Sequence, residues 1–94
     1  MSKEIIRNDI ARIRITISSK QESLSRLRAS KKLRTESIAN SIKNATNQTA
    51  KAGFRISKTA VIAQFDSQIN QITNEIDRYR NQIAIMRERL TRLK

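Results

Sequence analysis

The side chains best supplied for chemistry in this chain are cations. Arg26, Arg28, Lys31, Lys32 and Arg34 crowd into RLRASKKLR, residues 26–34, without a carboxylate, and Lys43, Lys51, Arg55 and Lys58 continue the series. Lys and Arg together number 20 against 8 Asp and Glu, a formal net charge of +12. A guanidinium offers a planar fork of N–H donors that matches two phosphate oxygens, and an ammonium offers a compact point charge. An imbalance of this size favours polyanions, nucleic acid ahead of an anionic membrane. Other reagents are scarce. His and Cys are absent, so thiolate and imidazole chemistry, disulfides and the commonest metal sites are excluded. Single carboxylates scattered over helix faces, with no glycine-rich phosphate loop, argue against an enzyme, a cofactor or a small-molecule substrate.

What positions the cations is a pair of apolar seams. From Ile62 the steps Phe65, Ile69, Ile72, Ile76, Tyr79, Ile83, Met86, Leu90 and Leu93 alternate by three and four, the 3.5-residue period of a coiled coil. Ile6, Ile10, Ile13, Ile17, Lys20, Leu24, Leu27, Lys31, Arg34 and Ile38 follow the same spacing. Between the seams, residues 41–58 collect Asn, Thr and Ala and hold the one glycine, Gly53, and the chain has no proline. The expectation is an all-α, single-domain protein over 1–94: an antiparallel two-helix coiled-coil hairpin with helices at about 3–44 and 57–93, a turn at about 45–56, and Ser57 as N-cap. Taking Ile10 and Ile62 as a positions, facing residue numbers must sum to either 96 or 103, and the sequence leaves both registers open.

Heptad letters then sort the charges. Arg7, Arg14 and Arg28 occupy e positions of the first helix; Arg80, Arg87 and Lys94 occupy e positions of the second, with Asp66 the one acid. In an antiparallel pair these flank one another, so one side becomes a cationic ridge on which Arg7 lies near Arg87 and Arg14 near Arg80 in the first register. The g flank mixes Asp9, Glu75 and Arg89 with neutral Thr16, Ser23, Gln68 and Gln82. The ridge and the 26–34 cluster together, Arg7, Arg14, Arg26, Arg28, Lys31, Lys32, Arg34, Arg80, Arg87 and Lys94, are the expected contacts to nucleic-acid backbone, DNA or RNA, without regard to base sequence. Solvated arginines with no partner are the plainer alternative. Lys31 and Arg34 stand in the seam, where they either specify register or leave the turn end open to a ligand.

Aromatic residues add little to a nucleic-acid site. Phe65 and Tyr79 belong to the seam, and Phe54 beside Gly53 reads as a cap on the end of the core. No helix-turn-helix, zinc-finger, KH or RRM pattern is present. Off the seam, Leu33, Ile42 and Ile85 are apolar, with Ile5 and Val61; these would serve a protein partner's helices or join two hairpins into a dimeric four-helix bundle. The N-terminal residues lack an apolar signal core and no apolar run is long enough to span a bilayer. A cytoplasmic location is the expectation, with signal-less secretion or a virion left open.

In length and central turn the chain resembles the small WXG100-type helical hairpins of type VII secretion. The resemblance implies a protein-interaction adaptor and covers architecture alone. Trp is absent and with it the W-x-G turn motif, AGF at 52–54 places an aromatic beside glycine in another order, and Tyr79 and Phe65 are followed four residues on by Ile83 and Ile69 rather than by an acid. A phage or virion assembly protein, contacting packaged genome or a neighbouring subunit, fits the same composition.

Overall fold

The structure is a computed structural model describing residues 2–93. Two helices, α1 (Lys3–Asn44) and α2 (Gln48–Arg92), pack antiparallel into a rod 72 × 15 × 12 Å. At 1.5 Å per residue, helices of 42 and 45 residues are about 63 and 68 Å long, so each runs nearly the whole rod. The all-α hairpin expected from the seams is the fold observed.

Both helices begin with a side-chain cap. Ser2 Oγ accepts from the Ile5 N–H at 3.2 Å, and Asn47 Oδ1 accepts from the Ala50 N–H at 2.7 Å. Charges suit the helix dipoles where they occur: Glu4 in the first turn of α1, Lys43 in its last, Arg89 and Arg92 in the last turn of α2.

The reversal is shorter than expected. Ala45 is extended and its N–H bonds the Ile42 carbonyl, Thr46 follows, and Asn47 starts α2, so the predicted turn over 45–56 shrinks to three residues and Ser57 is interior to a helix. The physical reason is local. Asn47 supplies the cap that Ser57 was expected to give, and one isolated glycine costs a helix only about 1 kcal/mol relative to alanine. Gly53 has no left-handed backbone to justify it. The β-branched and hydroxyl residues are accommodated too: Thr59 donates to the Arg55 carbonyl at 3.1 Å and Ser41 to that of Ser37 at 3.2 Å, satisfying side chains that otherwise compete with helix formation.

The core is lopsided. The buried residues are Ile6, Ile10, Ile17, Ile76 and Ile83, with Ile13, Leu24, Ile72, Tyr79, Met86, Leu90 and Leu93 packed against them. All lie in the half of the rod that carries the termini. In the turn half, Leu27, Ile38, Ile62, Phe65 and Ile69 are only half-buried. Phe54 does not close this end; it lies within α2 and is 38% exposed.

Seam geometry drifts near the turn. Arg34, expected in the seam, is exposed, while Thr35 beside it is half-buried, followed by Ile38, Ile42 and Ala45. An α-helix turns 3.6 residues per turn against the 3.5 of a seam, so without an apolar knob to hold the register the facing stripe slips by one position. The same slip turns Ile42, expected on the outer surface, inward to a half-buried place against the hairpin itself.

Candidate nucleic-acid interface

Two interhelical ion pairs fix the alignment of the helices. Lys20 Nζ donates to Glu75 Oε2, and Lys31 Nζ donates to Asp66 Oδ1 at 2.6 Å. Their residue numbers sum to 95 and 97. That selects the register centred on 96 and excludes 103, in which neither lysine would have an acid beside it. Each lysine reaches out of the seam to a carboxylate on the rim of the opposite helix, keeping its aliphatic stem over the apolar surface. Hydrogen bonding to Glu75 raises the Lys20 pKa above its usual 10.5, against a smaller opposing desolvation; the charges of Glu75 and Tyr79 also raise it. Lys20 Nζ also lies 5.9 Å from the centre of the Tyr79 ring.

These pairs rearrange the expected site. Lys31 is tied to Asp66 and is not a free phosphate ligand. The 26–34 cluster is dispersed around α1: Arg26 lies 3.9 Å from Glu22, Arg34 lines a groove with Val61, Gln64, Phe65 and Gln68, and Arg28 faces the other flank, with Lys32 one helical turn beyond it. The 26–34 stretch therefore forms no single patch. Its compact spacing in sequence covers every direction around the helix axis, because nine residues make two and a half turns.

The flank of e positions is more coherent. Arg28 and Arg80 line one shallow groove, together with Gln21 and Thr73 at neighbouring e positions, Leu24 and Ile76 at its floor, and Asp77 at its rim. Arg7, Arg14 and Arg87 are exposed on the same heptad positions towards the termini. In the register set by the ion pairs, Arg87 falls two residues from the level of Arg7, and Arg80 two residues from that of Arg14. The two arginine pairs are thus one heptad apart, about 10 Å along the rod. Among the described residues none of these five arginines has a carboxylate within 4.0 Å. Lys94 lies outside the described residues.

Five of the eight acids are engaged elsewhere. Glu75 and Asp66 hold seam lysines, and Asp9, Glu22 and Glu88 sit beside Arg12, Arg26 and Arg92 within their own helices. Sequence reasoning missed the interhelical pairs. Their signal was present, since only at a sum of 96 does each seam lysine have an acid adjacent to its facing residue.

Leu33 and Ile85 remain exposed, at 69% and 52%. Among the described residues no helix is long and apolar enough to cross a membrane, and no cluster of three metal-ligating side chains occurs. No protein-family model, no curated protein and no solved structure matches the chain.

Proposed function

We propose that this hairpin is a non-catalytic accessory or assembly protein that binds the phosphate backbone of nucleic acid through the flank of Arg7, Arg14, Arg28, Arg80 and Arg87. One observation carries the reading: among the described residues, five exposed arginines share a flank with no carboxylate within 4.0 Å, while the interhelical acids are taken up by lysines of the seam. Like charges alongside one another repel, and a polyanion laid along the rod converts that repulsion into attraction. With arginine pairs about 10 Å apart and the phosphates of each strand rising about 3.4 Å apiece along the duplex axis, successive pairs lie at the level of roughly every third phosphate. Nothing in this arrangement reads base edges, so binding is independent of sequence. Action in the cytoplasm, or inside a virion, follows from such a ligand.

The test is fluorescence anisotropy of labelled mixed-sequence DNA and RNA duplexes across a salt series. Counterion release by five cations predicts a slope of about −4.5 in log K against log salt on DNA. Reversal of Arg7, Arg14, Arg80 and Arg87 to Glu removes binding while leaving helicity intact. Unchanged affinity in that variant overturns the proposal.

A protein-interaction adaptor is the second reading, favoured by exposed Leu33 and Ile85. The likeness to WXG100 hairpins that suggested it now rests on the hairpin alone, because AGF lies inside α2 and not at the reversal.

A further inference from the structure

Resting on the reading of the arginine flank as a phosphate-binding surface, we infer that its ligand is a double helix lying parallel to the rod. Arg7 and Arg87 hold one strand, Arg14 and Arg80 hold the other across a groove, and Arg28 with Lys32 meets the first strand again one turn on.

The spacing of the charges carries this. In the register set by the ion pairs, the e flank presents one pair of facing positions per heptad: Arg7 with Arg87, Arg14 with Arg80, Gln21 with Thr73, and Arg28 with Asp66. The first two pairs are cationic and the third is neutral. At the fourth, Asp66 is held by Lys31, which leaves Arg28 and, one helical turn on, exposed Lys32. Asp77, on the rim of the groove that Arg28 and Arg80 share, stands at the level of residue 19, within the uncharged interval. Measured along α1, the cations are therefore centred on levels 8, 15 and 28 to 32. A step of about 10 Å is followed by one of about 20–25 Å.

A double helix has the same alternation. A straight line along its surface crosses one strand and then the other at unequal intervals. The grooves of B-form DNA are about 6 and 12 Å wide; adding roughly 6 Å for the phosphates and allowing for the tilt of the strands, the crossings fall about 13 and 21 Å apart in a turn of about 34 Å. A-form RNA likewise alternates a narrow groove with a wide one. The remaining differences, of a few ångström, are within the reach of an arginine side chain. A single strand, whose phosphates follow one another without a gap, gives no reason for a neutral third pair.

Each arginine pair also has the inclination of a strand. Arg87 stands two residues nearer the turn than Arg7, and Arg80 two residues nearer than Arg14. That is a rise of about 3 Å, against about 3.4 Å between successive phosphates of one strand along the duplex axis. The hand agrees as well. In a right-handed α-helix viewed from its N-terminus the e positions lie clockwise of the seam, so from the side of the ligand, with the turn uppermost, α2 is on the left of α1. The line from Arg7 to Arg87 climbs leftward, as a right-handed strand does when viewed from its own axis.

Moving one cation along the ridge tests the spacing at constant net charge. Arg28→Gln combined with Gln21→Arg, both at exposed positions, transfers a guanidinium from a strand crossing into the gap. The probes are a labelled mixed-sequence DNA duplex, an RNA duplex of the same length and the corresponding single-stranded DNA, titrated by fluorescence anisotropy across a salt series. Native protein is expected to bind at least one duplex about tenfold more tightly than the single strand at 0.1 M salt, and the preferred duplex identifies the helix form. The exchange is expected to weaken duplex binding roughly eightfold at that salt and to flatten its salt slope by about 0.9, with helicity and single-strand affinity unchanged. Duplex affinity unaffected by the exchange, or a single strand bound as tightly as both duplexes, overturns the inference while leaving the phosphate-binding reading in place. Failure of the native chain to bind any of the three removes that reading and the inference with it.

Discussion

Lys31 Nζ lies 2.6 Å from Asp66 Oδ1, joining a seam position of α1 to a rim position of α2. With Lys20 and Glu75 it makes the alignment of the helices a matter of charge as well as of apolar matching. Partly exposed pairs of this kind contribute about 0.5 kcal/mol in stability, yet moving the helices by one heptad would strand both lysines. In a double-mutant cycle, Lys31→Ala and Asp66→Ala each destabilise, and the double variant falls short of their sum by about 0.5 kcal/mol in urea unfolding. Strict additivity would remove the pair as a register determinant.

Alkaline pH isolates the other pair. The folded state holds the Lys20 proton more tightly than the unfolded chain, chiefly through its bond to Glu75. This contribution is complete below the ordinary lysine pKa of 10.5 and is lost as pH rises through the higher folded value. Thermal melts from pH 9 upward should show stability falling more steeply for the native chain than for Lys20→Met. Parallel declines would mean that the proton is not held preferentially by the hairpin.

Burial divides the rod into a firm half and a soft half, and truncation of isoleucines measures the division. Ile10→Ala or Ile76→Ala, at sites 5% and 4% exposed, should cost about 2–4 kcal/mol. Ile38→Ala and Ile69→Ala, at half-buried sites, should cost less than about 1.5 kcal/mol. Equal losses in urea unfolding would contradict an asymmetric core.

Gly53→Ala gives a signed test of the reversal. The position is helical, its φ is not positive, and an added Cβ meets nothing within 4 Å. Alanine should therefore stabilise by about 0.5–1 kcal/mol, or roughly 2–8 °C in Tm. A left-handed turn glycine would show the opposite sign.

The parts of the fold readable in the sequence were those written as repeated pattern. Ile6 to Leu24 and Ile72 to Leu93 recur so regularly that seam, hairpin and buried face follow from spacing. The reversal was harder to read because Asn47 and Ser57 both suit a helix start, and composition drew attention to Gly53 rather than to the cap that forms. Arg34 and Ile42 were misplaced because heptad letters extend a 3.5-residue rule into a region where no apolar knob enforces it. Of the candidate site, the e-flank arginines were legible from periodicity. The 26–34 cluster was misleading, since proximity in sequence is not proximity around a helix. The seam lysines' acids lie 35 and 55 residues away and become visible only once the register is chosen.

The lopsided core also sets the order in which the chain can fold. Its strongest packing joins Ile6, Ile10 and Ile17 to Ile76 and Ile83, partners 59 to 77 residues apart in sequence. Contacts beside the three-residue reversal are the easiest to close and the least rewarding, so zippering outward from the loop gains little at each step. The entropy of closing the long loop is spent before the isoleucines meet. Refolding should therefore be slower than for helical proteins stabilised by local contacts, with the terminal half engaging in a single late, cooperative event.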